Sequence, residues 1–360
     1  MPEIWQSPKD FEHPVTWFKR PRVMACGAGG VCAGCKWEEY DLVSLVRDNE
    51  KALKIFRDHG VLPSSVKCPY CDSECTYYED RRLWRWTKRT PVKAKKKKSA
   101  KLRSCPFSVS DNSGTFLEQG RIEPWQLLLF INLFILKRWS HDAAVRNLRI
   151  SRPTSVDWRS FCAEVCEKWV GEDRPIGGPG VVVEIDETHF VKRKFNKGRV
   201  LSSVWLLGGI ERESNRTFIV PLSEPLSQTC RKRDSKTLIP LIQKYVLPGT
   251  IINTDCWAAY RRLSESGFTH FSVNHKENFV DPNDKAIRTQ KVERLWRDVK
   301  EWCSRPGNKT KYVHQYLGRY IFLKQVAVEE RLHHFLIAAS TLYPHRTASS
   351  VSSVDDNNNE

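Results

Sequence analysis

Two short apolar runs constrain this chain more than any other feature of it. VVVEID, residues 181–186, and IINTD, residues 251–255, read as buried strands, and each ends in an aspartate, Asp186 and Asp255. Each acid therefore sits where a strand meets the loop beyond it. In α/β sheets the ends of adjacent strands form the crevice where ligands bind, and two acids delivered there can share a divalent cation. Further strand signals surround the pair: SVWLLGGI, RTFIVPL and FTHFSV. SKTLIPLIQKYVLPGT reads as a helix stopped by Pro248 and Gly249, CWAAYRRLSESG as a short helix, and helices are expected over Arg288 to Cys303 and Lys311 to Leu342. Together these predict an α/β unit over residues 178–343.

A third acid has to come from outside the two strands. On the helix from Arg288, Val292, Leu295, Trp296, Val299, Trp302 and Cys303 form one apolar stripe. Glu293 falls about 60° from Trp296 around the axis, at the edge of the stripe, where it can lean into a cleft. Three clustered carboxylates would repel one another without a cation, so such a cluster in a basic protein suggests a metal site. Glu184, Glu187, Glu277 and Asp281 are competing acids that could stand behind the metal ligands, with surface solvation the main expectation for each.

EIDETHFVKRKFNKGR, WLLGGIER, SKTLIPLIQKYVLPGTIINTDCWAAYRRL, GFTHFSVNHKENFVDP and TQKVERLWRDVK follow one another between Gly180 and Cys303. In content and order they resemble the Merlin-type DDE transposases and the bacterial insertion-sequence transposases related to them. The resemblance implies an RNase H-like catalytic domain with a five-stranded mixed sheet and helices. It also implies that Asp186, Asp255 and Glu293 hold two Mg2+ or Mn2+ ions. The family usually has His-Thr where this chain has Arg288-Thr289, so arginine must take over the role of that histidine or the role is lost.

Charge and cysteine placement describe the rest. With 59 basic and 42 acidic side chains the net charge is +17, which points to a polyanionic partner. The longest apolar stretch, Leu127 to Leu136, is half the length of about 20 residues that spans a bilayer, and the N-terminus has no signal-peptide core, so a soluble intracellular protein without a membrane partner is expected. In a reducing compartment, clustered cysteines read as metal ligands rather than disulfides. Cys68-Pro-Tyr-Cys71 has the spacing that opens a zinc ribbon. Where the family's ribbon continues with Trp-Arg-Cys, this chain reads Trp84-Arg85-Trp86, so that Cys75 and Cys105 could complete a Zn2+ site with Cys68 and Cys71, the alternative being a metal-free remnant of a ribbon. A rival site pairs Cys32 and Cys35 with Cys68 and Cys71.

Residues 1–120 are thus expected to form a Cys-rich, basic, zinc-ribbon-like region, and 121–173 a helical DNA-binding segment. SHDAAVRNL and PTSVDWRSFCAEVCEKWV, capped by Ser140 and Ser151, have the spacing of a helix-turn-helix that would expose Arg152, Thr154, Ser155 and Arg159. A purely structural trihelical packing is the alternative. Lys88 to Arg103 carries nine positive charges and no acid, predicting an extended or disordered insert. Lys95, Lys96, Lys97 and Lys98 suit phosphate contact or nuclear import; Lys192, Arg193, Lys194, Lys197 and Arg288 suit DNA contact near the acids. Residues 344–360 are expected to be a disordered tail. The combined expectation is a cut-and-paste transposase acting on double-stranded DNA as at least a dimer, nuclear in a eukaryote and otherwise with the nucleoid. A catalytically silent DNA-binding derivative and a structure-selective nuclease of the same fold are the rivals.

Overall fold

A computed structural model describes residues 44–86, 89–91, 102–104, 107–171, 175–190, 204–222, 233–273, 288–303 and 312–346. Cys32, Cys35, Lys95, Lys96, Lys97, Lys98, Cys105, Lys192, Arg193, Lys194, Lys197, Glu277, Asp281 and residues 347–360 lie outside the described residues.

Helix α1 (Asn49–Asp58) is started by Asp48, whose carboxylate accepts the Lys51 amide. Strands β1 (Thr76–Tyr78), β2 (Leu83–Trp86) and, later, β5 (Phe107–Ser110) form a small antiparallel sheet in the order β1-β2-β5. Between β2 and β5, β3 (Arg89–Pro91) pairs with β4 (Leu102–Ser104), so the ends of the basic insert form a two-stranded ribbon. Asp111 pins this sheet to α1: it is fully buried and accepts from Arg57, Tyr77 and Trp84.

Helix α2 (Pro124–Ile135) begins with a capping box between Glu123 and Gln126. Helix α3 (His141–Leu148) and helix α4 (Arg152–Gly171) are joined by a turn in which Arg149 takes φ 53°. The predicted caps form: Ser140 Oγ accepts the Ala143 amide and Ser151 Oγ the Thr154 amide.

Strands β6 (Ile176–Gly177), β7 (Val182–Phe190), β8 (Val204–Glu211) and β9 (Thr217–Pro221) precede helix α5 (Ser235–Tyr245). Strands β10 (Val246–Leu247), β11 (Ile251–Asp255) and β12 (Thr269–Val273) follow. The main sheet has the order β12-β11-β7-β8-β9. β11 runs parallel to both β12 and β7, whereas β8 is antiparallel to β7 and β9. This five-stranded mixed sheet, with helices on both faces, fits an RNase H-like domain. Helices α6 (Gln290–Cys303), α7 (Val313–Gln325) and α8 (Arg331–Leu342) complete the fold.

Alternation along β7 sets what each face receives. Val183 and Ile185 point into a core with Leu207, Phe218, Leu238, Ile242 and Tyr260. On the opposite face α6 and α7 pack Val292, Leu295, Trp296 and Leu317 against Leu206, Ile210 and Ile219. A third core joins α1–α4 to Phe322, Leu332, Phe335 and Leu336 of α7 and α8, so helices from before and after the sheet share one interior. Two buried arginines tie them: Arg319 donates to the Phe134 carbonyl and Arg331 to the Ile135 carbonyl, at the negative end of α2.

Four local expectations need correction. α5 ends at Tyr245 because Val246 and Leu247 pair with β6. Residues 256–267 form two 3₁₀ turns, Ala258–Tyr260 and Ser264–Ser266, instead of a short helix. The last helix is two, broken where Arg331 donates to the Leu323 and Val326 carbonyls. The predicted tail begins in contact with the small sheet: the Arg346 amide donates to the Ser113 carbonyl, and His345 lies against that of Ser110.

Candidate functional site

The register of the sheet brings the two aspartates together. Ile251, Ile252 and Asn253 of β11 pair with Val182, Val183 and Glu184 of β7. Continued by two residues, that register sets Asp255, the last residue of β11, level with Asp186, which lies midway along β7 rather than at the strand end expected of it, because β7 stays paired with β8 as far as Phe190. Each carboxylate is oriented. Asp255 Oδ1 accepts the Trp257 amide at 3.0 Å, and Asp186 Oδ2 accepts the indole N–H of Trp296 at 3.0 Å. Trp296 reaches across β8 because Gly208, opposite Asp186, leaves room; a Cβ there would lie 2.5 Å from the indole ring.

Glu293 stands three residues before Trp296, about 4.5 Å earlier along α6. The helix is held against β7 by Glu184, one of the competing acids for which solvation was the main expectation. Glu184 is fully buried, and its Oε2 accepts the Lys291 and Val292 amides at 2.7 and 3.2 Å, capping α6 from another element. Its Oε1 pairs with Arg212 at 3.0 Å. Arg212 and Asn253 both donate to the Arg288 carbonyl. The expected surface solvation of Glu184 is therefore wrong. The signal was present: an acid inside VVVEID, two residues before Asp186, must share its face of the strand. Arg288 enters this anchor through its main-chain carbonyl.

Glu187 faces the opposite core and is also not solvated. Burial above all, with the charges of Asp186 and Asp255, raises its carboxyl to about 7, partly offset by Tyr260 and Arg233. The Tyr260 hydroxyl faces it without meeting strict hydrogen-bond geometry, and burial beside these acids holds that phenol well above its usual range. Asp186 and Asp255 thus act on the same two groups. Glu293 is half-buried, and among the described residues no three His, Cys, Asp or Glu side chains close into a metal-holding cluster. The donor chemistry nevertheless suits a hard divalent cation, since all three candidates are carboxylates and two are set level by the sheet.

Residues 178–323 match the ISXO2-like transposase domain. This span covers less than half of the chain and contains Asp186, Asp255, Glu293 and the anchor around Glu184. A transposase-like protein of Haemophilus influenzae is 40% identical over 47 residues, 13% of this chain. The aligned segment spans 38% of that relative's length. A simian T-cell lymphotropic virus intasome, solved in complex with PP2A regulatory subunit B56 gamma, overlaps at 16% identity with a TM-score of 0.26, over 51% of this chain and 65% of that one. The domain match supports a transposase family of the insertion-sequence type.

Outside this domain, Cys68 is buried while Cys71 and Cys75 are half-buried. Burial raises the Cys68 and Cys75 thiols, and the neighbouring cysteines add to that rise. Three thiols close in sequence suit zinc in chemistry, although among the described residues they form no closed cluster. In the helical segment Arg152 is exposed and pairs with Asp142. The other three residues are less exposed than expected. Thr154 is half-buried, Ser155 is buried against His141, and Arg159 packs between the Trp139 and Tyr316 rings. Among the described residues no helix is long and apolar enough to cross a membrane.

Proposed function

We propose that this chain is a cut-and-paste DNA transposase of the Merlin and insertion-sequence type, acting on double-stranded DNA through Asp186, Asp255 and Glu293. The observation that carries this reading is the level placement of Asp186, midway along β7, and Asp255, at the end of β11, with α6 docked onto Asp186 through Trp296. The three carboxylates would hold two Mg2+ or Mn2+ ions. Bound there, the cations supply activation of the attacking water or 3′-hydroxyl and stabilisation of the leaving oxygen. The Trp257 amide and the Trp296 indole orient the two aspartates, while Glu184 and Arg212 fix the helix that delivers Glu293.

The net charge of +17 suits a phosphate backbone. Arg152, Thr154, Arg159, Arg288 and the basic residues at 95–98, 192–194 and 197 are the proposed DNA contacts, with exposed Arg152 the best placed of the described ones. Joining two ends of one element calls for at least two subunits. Zn2+ on Cys68, Cys71, Cys75 and Cys105 would brace the N-terminal sheet. Action on chromosomal DNA places the protein in the nucleus, or with the nucleoid in a bacterium.

A magnesium-dependent cleavage and strand-transfer assay on the element's terminal repeats tests this. Wild-type protein is expected to cut and join. Asp186→Asn, Asp255→Asn and Glu293→Gln should each lose more than the about 10–100-fold that removal of an outer-shell partner costs, with DNA affinity kept. Asp298→Asn and Glu301→Gln, on the same helix but lining a separate cleft with Lys137 and Lys324, should retain most activity. Near-wild-type cutting by either aspartate variant would overturn the assignment, and cutting without joining would favour a nuclease.

A further inference from the structure

Two residues beyond Asp255 the chain presents a tryptophan that is held by backbone and side-chain contacts and still left in solvent. Trp257 is 44% exposed, although its backbone is tied by the amide bond to Asp255 and the following Ala259 and Tyr260 are buried. Its ring is tied as well. The indole N–H donates to the Arg233 carbonyl at 3.4 Å, and the Arg233 guanidinium carbon lies 5.1 Å from the ring centroid. The same guanidinium stacks 3.7 Å over Trp205, which in turn packs against His189 at 4.8 Å. Asp234, the acid next to Arg233, is engaged in capping α5 through the Thr237 amide.

Full burial of a large apolar side chain is worth about 1.5–3 kcal/mol, and an immobilised indole kept in water forgoes part of this. The geometry points to a ligand that supplies the missing cover: we propose that Trp257, clamped by Arg233, is a stacking site for an unpaired nucleotide of the DNA strand held at Asp255. An aromatic plane beside a guanidinium is the arrangement on which single-stranded bases stack, with the cation serving the adjacent phosphate. A paired base inside a duplex has both faces covered by its neighbours, so only an unpaired or extruded base can occupy such a plane. A docked protein fits less well. One tryptophan buries at most about 250 Å², against the about 800 Å² per partner of a stable interface. The inference rests on the reading of the site as a DNA-processing one and adds to it where a strand end would lie.

The test compares binding of the full chain, by fluorescence anisotropy, to three DNAs: a blunt duplex, the same duplex with a short 3′ single-stranded overhang, and that duplex with abasic residues in the overhang. Wild type should prefer the base-bearing overhang. Trp257→Ala should lose about 5- to 150-fold on that DNA alone, the equivalent of about 1–3 kcal/mol per stacked base. Trp257→Phe, which keeps a ring, should retain most of the preference and guards against a folding defect in the alanine variant. Equal binding of base-bearing and abasic overhangs, an unaffected Trp257→Ala variant, or loss of a protein oligomer in that variant would overturn the stacking site. Retained blunt-duplex binding in those cases would leave the transposase reading standing, whereas failure of wild type to bind any of the three DNAs would contradict both.

Discussion

At the scale of single residues, the site depends on one missing side chain. Gly208 is needed for space, since it lets the Trp296 indole lie across β8 and donate to Asp186. Gly208→Ala should displace the ring, at the about 1–3 kcal/mol typical of overpacking. Trp296→Phe keeps a ring over Gly208 and removes only the N–H donor to the carboxylate. Both variants should slow magnesium-dependent cleavage by about 10–100-fold, as removal of an outer-shell partner does, while urea melts show a folded protein. Wild-type rates in both would show that the indole does not position Asp186. The strand-end position of Asp255 was legible because IINTD ends where its apolar run ends, whereas β7 runs on to Phe190 through residues with no apolar pattern, which left Asp186 midway along its strand. Glu184 was misjudged because its partner Arg212 is 28 residues distant and its helix amides more than a hundred, separations that no local pattern encodes.

At the scale of elements, α6 is fixed by a strand residue acting as its cap. Glu184 is completely buried and the Arg212 side chain only 10% exposed, so removing one charge leaves the other without compensation. Glu184→Gln should therefore cost about 3–5 kcal/mol in chemical denaturation, and adding Arg212→Met should recover much of it. A loss below about 1 kcal/mol, the range of a surface pair, would contradict the buried cap. Sequence patterning located α3, α4, α6 and all five strands of the main sheet. It failed where tertiary contacts end an element: β6 takes up the chain after α5, Asp255 ties the turn that replaces a short helix, and Arg331 separates α7 from α8. The β3–β4 ribbon was hidden because charge repulsion, read locally, argues only for extension.

At the scale of the whole molecule, the fold is a mixed sheet between two apolar layers, joined to a helical core that draws on both ends of the described chain. The sheet was legible because its strands are contiguous apolar runs. The shared helical core was not, because α2 and α4 show only that they are buried and give no sign that Arg319 and Arg331 of α7 and α8 will hold their carbonyl ends. The consequence is that Asp186, Asp255 and Glu293 come from three separate elements, so the proposed metal site requires their convergence in the complete fold. Manganese titration followed by electron paramagnetic resonance tests that convergence directly. Wild-type protein is expected to bind two Mn2+ ions, spin-coupled at the roughly 3.5–4 Å of a two-metal site, and Asp186→Asn, Asp255→Asn and Glu293→Gln should each lose at least one. Undiminished binding of two coupled ions by any of these folded variants, or no specific Mn2+ in the wild type, would contradict the account.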